Sequence, residues 1–168
     1  MEYWNITAVN TTFNSWVTSS ITVSGFPVST FVPGNVAIVL NLALFHTNPQ
    51  DLILYLENPA GSGAIIGYLS AGSTESCPLY YSTTVEDSQV TQNVFEGNSS
   101  IPCPPQSLTA IGDHWMLAGN VTQRNLGNLP FSNAFAGNPV NGQWLLHILD
   151  TGPDNSGNLT SWTLGLIC

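Results

Sequence analysis

The side chains able to do chemistry are few: His46, His114 and His147, ten Asp or Glu residues, Cys77, Cys103 and Cys168, and the one cation, Arg124. Nucleophilic hydrolysis needs a hydroxyl or thiol beside a base that a third group orients, and the histidines are the candidates for that base. No Gly-x-Ser-x-Gly elbow occurs. His147 alternates with leucines in Trp144-Leu-Leu-His-Ile-Leu149, which suits a hydrogen-bonded strand histidine better than a base. His114 beside Asp113 has no informative spacing. Asp150 and Asp154 lie four apart in one Gly-rich turn, and hard oxygen ligands in a bent loop suit calcium. The spacing is not that of an EF-hand, and Asp is also a common turn residue that bonds its own backbone, so a plain turn ranks ahead of calcium. Glu86-Asp87 reads as a second, solvated acidic spot. The cysteine spacing fits no zinc site. Cys77 and Cys103 bracket a polar, Pro-rich stretch that a disulfide would close, contributing about 3 kcal/mol through the unfolded state; three unpaired thiols is the other reading. Cys168 is left over, free or available to another chain.

Those groups sit in a chain that carries little charge. Charged residues are 7% of the 168, and the formal net charge is −9. Nucleic acid and anionic membrane both need basic surface, so neither is an expected partner. Disorder wants low hydrophobicity and high charge, whereas 43% of residues here are hydrophobic. The longest apolar stretch, Val36 to Phe45, is broken by Asn41 and is too short to span a bilayer. Asn5, Asn10, Asn98, Asn120 and Asn158 each open an N-x-Ser/Thr triplet. About three such triplets arise by chance in this composition, so five is a mild excess. N-linked glycans would solubilise a surface that charges do not, and they place the expectation outside the cell, secreted or at the cell surface. Met1-Glu-Tyr-Trp-Asn5 shows neither the basic start nor the apolar run of a signal peptide.

The elements that must position these groups read as strands. In residues 138–167 one arm sends Trp144, Leu146 and Ile148 one way, and the other sends Trp162, Leu164 and Leu166 one way. The acidic turn 150–157 joins them, which predicts a long hairpin closing a sandwich. Upstream, Val36, Ile38, Leu40, Leu42 and Leu44 share a face, as do Leu52, Leu54 and Leu56. No stretch sustains a 3.6-residue period, so almost no helix is expected. The organisation predicted is an apolar extension over 1–18 and one β-sandwich domain over 19–168. In the extension Trp4, Ile6 and Ala8 share the parity needed to fill pockets of a sheet edge, with Asn5 and Thr7 facing outward.

Several of these pieces, in this order, resemble the P domain (Homo B) that follows the catalytic domain of subtilisin-like proprotein convertases and of many bacterial secreted proteases. They are Ser20-Ile-Thr-Val-Ser-Gly25, Val36 to Leu42, His46, Asp51-Leu-Ile-Leu-Tyr-Leu-Glu-Asn-Pro-Ala-Gly61 and Thr84-Val-Glu-Asp-Ser88. The closing run adds Phe135-Ala-Gly137, Gly142-Gln-Trp144, Asp150, Asp154, Gly157, Leu159 and Trp162-Thr-Leu164. The resemblance implies an antiparallel jelly-roll-like β-sandwich, no catalytic role of its own, and a protease catalytic domain as partner. It also brings in calcium, which some P domains of secreted proteases bind. Residues 1–18 and 77–103 fall outside the pattern. Two functions are therefore expected. The one placed first is a glycosylated extracellular structural subunit that self-assembles into a filament or coat, through Trp4, Ile6, Ala8 and Cys168. The alternative is an accessory P domain that stabilises a secreted subtilisin-like protease.

Overall fold

Alternating burial marks out the central strands of the computed structural model. It describes residues 1–32, 35–46, 52–67, 79–86, 113–115, 134–153 and 156–168, of which 64–67, 79–86 and 113–115 are described by backbone only. Among the described residues ten strands follow in order: β1 (Glu2–Asn5), β2 (Val9–Asn10), β3 (Trp16–Val23), β4 (Ala37–His46), β5 (Leu52–Glu57), β6 (Gly63–Gly67), β7 (Leu79–Glu86), β8 (Asp113–Trp115), β9 (Gly142–Asp150) and β10 (Gly157–Ile167). They form two antiparallel five-stranded sheets. One runs β1-β10-β4-β7, with β2 also on β10; the other runs β3-β9-β5-β6-β8. The expected all-β, two-sheet sandwich is what the chain forms.

The core lies between the sheets. Ile38, Leu40, Leu42 and Leu44 of β4 and Leu164 and Leu166 of β10 face Leu52, Leu54 and Leu56 of β5 and Leu146 and Ile148 of β9, all at most 2% exposed. Each such side chain contributes about 1.5–3 kcal/mol by leaving water. Two tryptophans anchor the layer. Trp144 stands edge-on to Phe135 at 5.3 Å and to Phe31 at 5.7 Å between ring centroids. A buried indole N–H needs an acceptor. Trp144 donates to the Val140 carbonyl and Trp162 to Ser19 Oγ, each at 2.9 Å.

The structure corrects the expected hairpin. β9 pairs with β3 and β5, and β10 pairs with β4, β1 and β2. The turn 150–157 therefore crosses from one sheet to the other as an arch. Both arms carry a face of large apolar residues, and pairing them edge to edge would leave those faces side by side; stacking them buries one against the other. A register shift between Leu159 and Ser161 of β10 puts Leu159 and Trp162 on the same, inward face. Strict alternation would have separated them.

The stretch 1–18 supplies β1, β2 and the first residues of β3 to this sandwich. Thr7 is exposed as expected, but within β1 the inward and outward residues are exchanged. Trp4 and Ile6 are 71% and 84% exposed, while Tyr3 packs against the core. Asn5 turns inward and donates from Nδ2 to the Ser20 carbonyl at 2.7 Å and to Ser19 Oγ at 3.2 Å. Ala8 is exposed. These hydrogen bonds give the inward Asn5 amide the partners that a polar group away from water needs.

Candidate functional site

At the arch, His46 from the end of β4 and Asp150 from the end of β9 meet in the interior, at 0% and 1% side-chain exposure, with Nε2 3.1 Å from Oδ2. Oδ2 also accepts from Thr11 Oγ1 at 3.4 Å, and Oδ1 accepts from the Gly152 N–H at 3.0 Å. The Asp150 carbonyl takes the Asn14 N–H at 2.7 Å. Gly157 completes the packing: a Cβ there would lie 2.3 Å from His46 Cδ2 and 2.5 Å from the Phe45 carbonyl oxygen. Two carboxylate oxygens already engaged by protein donors hold a bend. The calcium expectation also needs Asp154, the second carboxylate of the turn. Asp154 lies outside the described residues, and among the described residues no group of three acidic, His or Cys side chains gathers.

A second constellation spans the outer face of the other sheet. Thr18 Oγ1 is 2.9 Å from His147 Nδ1, and His147 Nε2 is 2.8 Å from Glu57 Oε2. Trp16 stands edge-on to the imidazole and Tyr55 is tilted against it. The order is formally hydroxyl, imidazole, carboxylate. The trio ties β3, β9 and β5 together. His147 is thus the hydrogen-bonded strand histidine its spacing suggested. Glu57 and Thr18 carried no signal in the sequence, because they meet His147 only through strand pairing.

The remaining expected residues divide. Asn10 and Asn158 are cross-strand partners, with Asn158 Nδ2 donating to Asn10 Oδ1 at 3.2 Å near the surface. Asn5 has its Nδ2, the atom a glycan would use, bound inward. Asn98, Asn120, Cys77 and Cys103 lie outside the described residues. Cys168 is an exposed free thiol. The open edge of the sandwich brings β1 and β3 together around a groove of about 440 Å³ lined by residues 2–7 and 20–22. Tyr3 bridges its end by donating to the Ser24 carbonyl at 3.1 Å.

The model of the proprotein convertase P-domain family matches residues 112–166. That segment holds β8, β9, the arch and nearly all of β10. No curated protein matches the chain significantly. Among solved structures, a serine protease of Aeromonas sobria is similar at 17% identity and a TM-score of 0.46, over 98% of this chain and 26% of that one. The same Aeromonas sobria serine protease in complex with its chaperone is similar at 17% identity and a TM-score of 0.39, over 96% of this chain and 27% of that one. The chain spans about a quarter of the length of these proteases.

Proposed function

We propose that this chain is a non-catalytic accessory module of the P-domain kind, acting outside the cell by packing on the catalytic domain of a subtilisin-like serine protease and stabilising it. The observation that carries this is the P-domain match over 112–166, which falls on the strands that hold Trp144, Trp162 and the Asp150 bend. The two histidines whose side chains are described both serve structural contacts. An antibody to the chain, used to precipitate it from the extracellular fraction of its native source, tests the proposal. The expected precipitate contains a polypeptide that a fluorophosphonate probe labels on its active-site serine. A precipitate with no labelled protein overturns it.

The exposed Trp4 and Ile6 and the exposed Cys168 favour a second reading, a self-assembling structural subunit, with a glycan at Asn10 as its best-placed modification. The same precipitation distinguishes it: large homogeneous particles of this chain without labelled protease support it.

A further inference from the structure

We propose that the outer edge of β1 is an acceptor for an extended, basic peptide strand of a partner protein. Among the described residues, β1 is the last strand of its sheet. Met1 and Leu166 exchange both backbone hydrogen bonds, at 2.6 and 2.8 Å. In an antiparallel pair such residues alternate with ones whose N–H and C=O groups point away from the neighbour. Glu2 and Trp4, opposite Gly165 and Thr163, therefore turn their backbone groups to the open edge. Natural edges are blunted by short strands, charged side chains (Lys above all), Pro, bulges or covering segments. β1 is short and carries one charge, Glu2, which repels acidic strands and leaves basic ones; it has no Lys or Pro, and its four residues pair with β10 without a register shift. Beside it lies the groove shared with β3, with room for one face of an added strand.

The side chains choose the occupant. Glu2 and Trp4 are two apart on one strand, so they project on the same face. Gly165, without a side chain, leaves Glu2 Cγ about 4.0 Å from where a Cβ would stand, so Glu2 lies over bare backbone. A Lys or Arg on the added strand would meet a carboxylate and the face of an indole together, an ion pair and a cation–π contact at one position. A second copy of this chain cannot readily supply that cation: its one Lys or Arg is Arg124, and its net charge is −9. The partner is therefore a different polypeptide with alternating basic residues, added as a strand. The edge stands apart from the accessory-module reading, and either can fail without the other.

The test uses the full chain and the acetylated, amidated peptide Lys-Val-Lys-Val-Lys-Val-Lys. Amide hydrogen exchange at Glu2 and Trp4 is expected to slow at least tenfold with the peptide bound. Affinity is expected to fall at least tenfold when the peptide lysines are N-methylated on the backbone, which keeps charge and removes the donors, and likewise in Glu2→Lys and Trp4→Ala, both exposed and tolerant sites. Equal binding of the N-methylated peptide, equal binding of its Glu-for-Lys counterpart, or light scattering that shows copies of the chain pairing through this edge without peptide would each overturn the proposal.

Discussion

Asp150 carries more of the molecule than its place in a surface-looking turn suggests. Its carboxylate receives His46, Thr11 and the Gly152 N–H, and its carbonyl receives Asn14. Removing it leaves buried donors without their acceptor, which costs the full desolvation of those groups. Asp150→Ala is therefore expected to lower unfolding free energy by about 2–4 kcal/mol in urea titration, and Asp150→Asn, which keeps shape and an acceptor oxygen, by less. Gly157→Ala drives a methyl into the His46 ring and the Phe45 carbonyl. A rigid neighbour cannot give way by over half an ångström, so a loss of more than about 2 kcal/mol is expected in the same titration.

Among elements, the strands with one packed face were legible in the sequence and their partners were not. β4 and β5 show alternation because every second residue meets the opposite sheet. The same alternation in β9 and β10 identified two strands but said nothing about which neighbours they take, since pairing is settled by contacts distant along the chain. The arch and the shift at Leu159 are consequences of that non-local choice. The Thr18–His147–Glu57 trio was hidden for the same reason. In β1, hydrophobicity favoured Trp4 inward, whereas the inward place is taken by Asn5, bonded to Ser19 and Ser20. Two substitutions check that assignment by thermal or urea unfolding. Trp4→Ala is expected to change stability by no more than about 0.5 kcal/mol, whereas Trp162→Ala, buried and hydrogen-bonded to Ser19, is expected to cost about 3–5 kcal/mol. Equal losses would mean that β1 buries Trp4 after all.

For the whole molecule, the balance between an accessory module and an assembling subunit turns on what copies of the chain do to one another. A net charge of −9 with one basic residue makes copies repel at low ionic strength, and the exposed β1 edge lacks a cation among its own copies to answer Glu2. A module that meets a different polypeptide is favoured by that balance. Light scattering on the purified chain, with reductant present and salt raised to screen the repulsion, tests the claim most directly. A monomer of 18.0 kDa is expected at all concentrations. Growth into filaments or large particles under those conditions would contradict it and restore the structural subunit as the function.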